Sequence, residues 1–184
     1  YYVMELVDGQ TVRDLLKRVG KLPVSEALRI TVEVARALDY AWNEIRLIHR
    51  DIKPDNILLD RHGVVKLADL GLAKSSSGQT ALTITGEMMG TPDYISPEQI
   101  KGDKDIDQRS DIYSLGCTLF HMVAGQPPYA SDTTAMVLMG HMKKTAANPR
   151  TLRPGLPNKL AMFITHMIAK NPAMRPQSHA AVAD

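Results

Sequence analysis

Apolar positions in this chain recur with two different periods. After Pro23 and Ser25, the residues Leu28, Val32, Ala35, Leu38 and Trp42 follow at steps of four, three, three and four. This spacing predicts a long helix with those five side chains on one face. Residues 133–143 and 158–169 repeat the helical period. Leu160, Phe163, Ile164, Met167 and Ile168 share a face of the second, which Asn171-Pro172 ends. A further helix is predicted from Ser110, with Asp111 able to cap its start. Its run from Ile112 to Ala124 is apolar nearly all round, so it belongs in a core. A short helix is expected at 11–18, and another begins after Gln177. Residues 1–7 (YYVMELV) read as a strand that stops at Asp8-Gly9. Ile57-Leu58-Leu59 and Val64-Val65-Lys66-Leu67 flank Asp60-Arg61-His62-Gly63 and read as a hairpin turning at glycine. Residues 75–87 are rich in Ser and Thr and carry no period, which predicts a mobile loop of the kind that is usually functional. Neither a repeat nor a linker is visible. The elements add up to a mainly α domain, a helical bundle carrying one small hairpin and one long loop.

Composition narrows the function classes. The chain has 184 residues and 44% apolar content, enough for one domain with a core. A formal charge of +2 gives no support to nucleic-acid or anionic-membrane binding. The single cysteine, Cys117, excludes an internal disulfide and a four-cysteine zinc site and fits a reducing compartment. No apolar run approaches the length of a membrane span. The first residue is Tyr1, inside an apolar run and without a basic leader, which reads as a piece of a longer chain.

The chemistry concentrates in His49-Arg50-Asp51-Ile52-Lys53-Pro54-Asp55-Asn56. Phosphoryl transfer to a hydroxyl needs a base, a cation on the transferred phosphate, metal ligands and rigid placement. Asp51 can accept the hydroxyl proton, Lys53 can reach the γ-phosphate, and Asn56 offers a neutral oxygen to Mg²⁺. Thirteen residues later Asp69, in Asp69-Leu70-Gly71, offers a hard anionic oxygen. The intervening hairpin is expected to hold Asn56 and Asp69 at opposite ends of one small sheet, facing one site.

The octet and Asp69-Leu70-Gly71 resemble the catalytic loop and metal motif of eukaryotic-type serine/threonine protein kinases, the bacterial members most closely. Further motifs follow in the family's order. Gly90-Thr91-Pro92-Asp93-Tyr94-Ile95-Ser96-Pro97-Glu98 resembles the end of an activation segment, which the resemblance extends over 69–98. Asp111 to Gly116 resembles the start of the family's central buried helix, and Asn171 to Pro176 the loop before its last helix. The resemblance covers the chain and implies the large, helical lobe of a kinase domain, from hinge strand to the start of the last helix, without the small β lobe. It implies ATP and Mg²⁺ (or Mn²⁺) as cofactors, and Ser or Thr of a protein, or of the enzyme itself, as acceptor. It also implies a cytoplasmic segment, whose parent protein could be membrane-anchored elsewhere.

Roles follow by resemblance. Asp51 is the base, Lys53 the phosphate-binding lysine, and Asn56 and Asp69 the metal ligands. Thr91 bonds Asp51 and Lys53. Met4 stands at the gatekeeper position, where plain core packing is the alternative. The Glu5 carbonyl and Val7 amide meet the adenine edge, and Leu58 packs under the ring. Glu98 pairs with Arg175 as a buried bridge. Asp111 accepts from the backbone around His49 and Arg50, and His49 is a packed histidine, not a base. The other five histidines are read as surface residues. Arg50 beside Asp51 implies phospho-regulation, with Lys74 as a second cation. Thr83 and Thr85 are favoured over Ser75 to Ser77 as acceptor sites, and Glu87 could stand in for a phosphate.

Some features depart from the family pattern. The glycine-rich loop, its small-lobe lysine and that lysine's glutamate partner are not among these residues. The chain by itself is therefore expected to transfer little phosphate, to bind nucleotide weakly and to expose an apolar seam. Leu70 replaces the usual Phe, Ser96 an Ala and Tyr113 a Trp, all mild changes. The competing readings are a pseudokinase scaffold, a small-molecule phosphotransferase and a non-enzymatic helical module. The last has no use for Asp51, Lys53, Asn56 and Asp69 together.

Overall fold

The computed structural model describes residues 5–69 and 92–184. Along the chain run β1 (Gly9–Thr11), α1 (Val12–Val19), α2 (Val24–Ile45), a 3₁₀ turn (Pro54–Asn56), β2 (Ile57–Asp60) and β3 (Val65–Leu67). After the second described stretch begins come α3 (Pro97–Lys101), α4 (Arg109–Ala124), α5 (Thr134–Lys143), α6 (Pro149–Leu152), α7 (Asn158–Met167), a 3₁₀ turn (Pro172–Met174) and α8 (Ala180–Ala183). Helices dominate, and one three-stranded antiparallel sheet of order β1-β2-β3 accompanies them.

The core is built around α4. Every residue from Ser110 to Ala124 is buried, as its all-round apolar pattern requires. Helices α2 and α7 both pack on it. The approach of α7 depends on Gly116, where an added Cβ would lie 2.6 Å from Met167 Cβ and 2.9 Å from Ile168 Cγ2. Cys117, the next residue, is fully buried, and burial pushes its thiol pKa up. In the sheet, the side chains of β2 alternate. Ile57 and Leu59 turn into the core, while Leu58 and Asp60 are half-buried on the other face.

Several expectations change. Glu5–Asp8 carry no strand, and residues 1–4 lie outside the described residues. The strand is instead Gly9–Thr11, whose polar sequence shows no alternation; pairing with β2 imposes it. Gly9 is needed there because a Cβ would meet the Leu59 carbonyl oxygen at 2.0 Å. The buried face of α2 is Ala27, Ile30, Thr31, Val34, Ala35 and Leu38. Of the predicted stripe only Ala35 and Leu38 are buried; Leu28, Val32 and Trp42 are half-buried. The helix is apolar over a wide arc, so more than one stripe fits its period, and packing on α4 selects one. Helix α4 starts before Asp111, at Arg109, so Asp111 sits in the first turn and does not cap the helix. The short helices α3 and α6 were not readable as periodic segments.

The histidines depart furthest. His121, His141 and His179 are buried, and of the five read as surface only His62 and His166 are exposed. Tyr94 Oη lies 2.7 Å from His121 Nδ1, and Tyr113 Oη lies 2.9 Å from His141 Nδ1. Each imidazole is apolar enough to pack and carries a nitrogen that a buried phenol can use. Burial holds the pKa values of His121 and His179 down to about 4, and that of His141 to about 3.

Candidate active site

The octet turns across one end of the hairpin. Asp51 is the hub. Its Oδ2 accepts from Lys53 Nζ at 2.8 Å and from Asn56 Nδ2 at 3.0 Å. Asn56 Nδ2 also donates to the Asp51 carbonyl at 2.9 Å. Both partners of that nitrogen are acceptors, so the amide must present its NH₂ to Asp51, and its Oδ1 remains for another ligand. The Asp51 side chain is 43% exposed and that of Lys53 33% exposed, so incoming molecules can reach the pair.

The hairpin register decides where the second carboxylate goes. Ile57 pairs with Leu67, so the residues just before β2 and just after β3 lie at the same end of the sheet, not at opposite ends. Ala68 makes this firm. Its N–H donates to the Asn56 carbonyl at 2.9 Å, and its carbonyl accepts from His49 Nε2 at 3.0 Å. Asp69 is therefore held beside Asn56, exposed and in the left-handed region at φ 57°, which Asp tolerates better than most residues.

His49 is fully buried, and its tautomer is fixed by its partners. A carbonyl can only accept, so Nε2 carries the hydrogen; Nδ1 then accepts from the Asp51 amide at 3.3 Å. Burial lowers its pKa, and the Ala68 carbonyl together with the charges of Asp51 and Asp69 opposes that only in part. From α4, Asp111 Oδ2 accepts from the His49 amide and Oδ1 from the Arg50 amide, both at 2.8 Å. Asp111 is fully buried, and desolvation raises its pKa to about 6 against these two backbone bonds.

Arg175 and Glu98 form the second ionic centre. Arg175 Nη1 and Nη2 reach the two Glu98 carboxylate oxygens at 2.6 and 3.0 Å. The remaining donors go to the carbonyls of Ala169, Arg109 and Lys170, and the guanidinium lies 4.8 Å from the Tyr113 ring centroid. All five guanidinium hydrogens are thus used in a buried setting.

The residues that the resemblance assigns to the nucleotide are less connected. Glu5 is exposed and its carboxylate pairs with Lys66, across from Leu58 in the sheet. Neither the Glu5 carbonyl nor the Val7 amide bonds another described residue through its backbone. Leu58 faces away from the helical core on β2. Met4, Lys74, Thr83, Thr85, Glu87 and Thr91 lie outside the described residues.

Comparison with known proteins fixes the family. A family model described as a protein kinase domain matches residues 1–184. The chain belongs to the protein kinase family. Among kinases it is similar to the serine/threonine-protein kinase PknB of Mycobacterium leprae, 37% identical over 180 residues. It is 41% identical over 178 residues to a "probable serine/threonine-protein kinase" of Clostridium perfringens, and 39% over 172 residues to a "probable serine/threonine-protein kinase PknB" of Bifidobacterium longum. These alignments cover 98%, 97% and 93% of this chain but only 29%, 26% and 25% of the respective relatives. The chain thus spans less than a third of the length of these kinases. The mainly helical fold with its small sheet fits the large lobe of a kinase domain.

Several contacts of this candidate site escape sequence reasoning. Arg13 of α1 makes a forked pair with Asp55 of the octet, at 3.1 to 3.3 Å. Gln99 of α3 donates to the Arg50 carbonyl at 2.8 Å. For Gln99 a signal existed. Ser96-Pro97-Glu98-Gln99 is a capping box with proline at the first helical position, and both reciprocal bonds are present. Nothing local marks Arg13, because its partner lies 42 residues away.

Proposed function

We propose that this chain is the catalytic large lobe of a protein kinase that transfers the γ-phosphate of ATP to Ser or Thr hydroxyls, its own included. The observation that carries the reading is the Asp51 hub: one exposed carboxylate holding a lysine and an asparagine within hydrogen-bond reach. Asp51 would take the proton of the acceptor hydroxyl, and Lys53, now on Asp51 at 2.8 Å, is close enough to serve the γ-phosphate at the same point. The residue set fits Mg²⁺, which takes one or two protein oxygens and completes its shell with phosphates and water. Asn56 Oδ1 and the Asp69 carboxylate would hold it, and bound there it would neutralise phosphate charge. Among the described residues no group of three or more His, Cys, Asp and Glu could hold a metal by itself.

The Glu5 carbonyl, the Val7 amide and Leu58 would receive the adenine, with Met4 as gatekeeper. Thr91 would bond Asp51 and Lys53. Arg50 and Lys74 would receive a phosphate on Thr83 or Thr85, with Glu87 as a partial substitute, inside an activation segment spanning 69–98. The phosphate lid and small-lobe cation of the family are not among residues 1–184, so these residues alone are expected to turn over very slowly. No helix among the described residues is long and apolar enough to cross a membrane. The resemblance to cytoplasmic kinase lobes, with a single free cysteine, supports a cytoplasmic placement of this segment.

The test uses the full-length protein with Mg-ATP and a generic basic protein, alongside Asp51→Asn. Phosphate on Ser or Thr that disappears in the variant supports the kinase reading, and mapping it decides Thr83 and Thr85. A folded, ATP-binding protein that incorporates none would make it a pseudokinase scaffold.

A further inference from the structure

The peptide unit joining Arg50 to Asp51 is gripped at both ends. Its carbonyl accepts from Gln99 Nε2 at 2.8 Å, and its N–H donates to His49 Nδ1 at 3.3 Å. Arg50 itself lies in the left-handed region at φ 66°, a conformation that a non-glycine residue keeps only where the surroundings over-determine it. Asp111 supplies one restraint, at the Arg50 amide. On the side facing Asp51, Gln99 holds the carbonyl and His49 the N–H.

The Gln99 amide has no freedom to turn. Its Oε1 accepts from Ser96 N–H at 3.1 Å and lies 3.0 and 3.3 Å from the hydroxyl oxygens of Ser96 and Ser110, whose two hydrogens serve both it and their own 2.7 Å contact. A backbone N–H can only donate, so the oxygen must face Ser96, and the NH₂ must then face Arg50. Ser96, Gln99 and Ser110 are all buried, so this polar knot is shielded from water.

We propose that Gln99 is a positioning residue for Asp51, fixing the peptide plane from which the Asp51 side chain departs. Through it, the end of the proposed activation segment and the catalytic loop share one buried hydrogen-bond network, so a shift of α3 reaches Asp51 directly. This inference rests on the reading of Asp51 as the base.

Gln99→Glu isolates the one bond that matters. Glutamate keeps the oxygen that Ser96 and Ser110 use, and it is a favoured capping-box residue. It loses the donor to the Arg50 carbonyl. In the full-length protein the introduced carboxylate is buried against the Arg50 carbonyl, so the unfolding temperature should fall at alkaline pH and recover as the carboxyl is protonated, and kinetics are compared where both proteins are folded. The KM for ATP should stay within about twofold, while kcat falls about 10- to 100-fold, the range for a misplaced catalytic group. The ratio of variant to parent kcat should rise as pH falls, because the introduced carboxyl regains a donor once it is protonated. Amide exchange over residues 49–51 should accelerate. An unchanged kcat, or unchanged amide protection at 49–51, in the folded variant would overturn the proposal; where Gln99→Glu does not fold, Gln99→Met, which loses the same donor without adding a charge, carries both measurements. If the parent protein proves to have no transferase activity, the exchange measurement decides alone: unchanged protection at 49–51 then rejects the role of Gln99, whatever the protein does.

Discussion

Two ion pairs of nearly equal length lie in this lobe and serve opposite ends. Arg175–Glu98 is 2.6 Å long with side chains 0% and 11% exposed; Lys53–Asp51 is 2.8 Å long with side chains 33% and 43% exposed. The first is saturated: carbonyls take every hydrogen that Glu98 leaves over, and an aromatic ring covers the guanidinium. The second is open: both side chains keep exposed surface, which the proposed phosphate and acceptor hydroxyl would use. The difference teaches that burial and completeness, not distance, separate an ion pair that holds the fold together from one that can do chemistry.

The sharpest way to break the comparison is to remove one partner of the buried pair. Arg175→Met leaves the Glu98 carboxylate buried and alone and should cost about 3–5 kcal/mol in denaturant unfolding. Adding Glu98→Leu should recover most of that loss. A single variant losing less than about 1 kcal/mol would place this pair with the surface bridges. At the open pair, Asp51→Asn should reduce kcat about 10²- to 10⁴-fold and leave the unfolding midpoint nearly unmoved. Equal damage to stability would erase the distinction.

A titration sharpens the contrast further. His121, His141 and His179 have folded pKa values of about 4, 3 and 4, below the ordinary 6.5. The unfolded chain therefore binds more protons below pH 6.5, so these residues' contribution is full above 6.5 and is lost as pH falls toward 4. The slope should be roughly 1 kcal/mol per pH unit per histidine. Asp111, raised to about 6, acts the other way: its contribution is full below pH 3.8 and is lost as pH rises through 6. Three groups outweigh one, so stability should fall from pH 6.5 to 4.5 in urea titrations, and His141→Gln should flatten the fall. A level profile would contradict the burial of these rings. Smallest of all, Arg13→Ala removes a half-exposed pair with Asp55 and should change stability by roughly 0–1 kcal/mol.

What the chain's own text revealed follows from distance along it. Asp51, Lys53 and Asn56 lie within six positions, so their encounter is local and the octet could be read as a unit. The all-round apolar run of α4 could be read because a single helix carries the whole signal. The contacts that sequence reasoning missed are those between remote segments: Gln99 to Arg50 across 49 residues, Tyr94 to His121 across 27 and Tyr113 to His141 across 28. Strand β1 escaped for the same reason, since Gly-Gln-Thr becomes a strand only through its partner. The buried face of α2 was misassigned because periodicity gives a stripe without saying which way the helix is rolled. Residues 70–91, which the resemblance places in an activation segment, lie outside the described residues, and their roles rest on resemblance alone.

The lone cysteine has a practical consequence. Cys117 is sealed in α4 at the centre of the lobe, with its thiol pKa pushed up. A thiol reagent reacts with the thiolate and needs access to it, and both are withheld while the core is shut. The molecule therefore carries its own clock for opening. With excess reagent, the rate at which Cys117 is labelled reports how often the centre of the lobe comes apart, without an introduced probe.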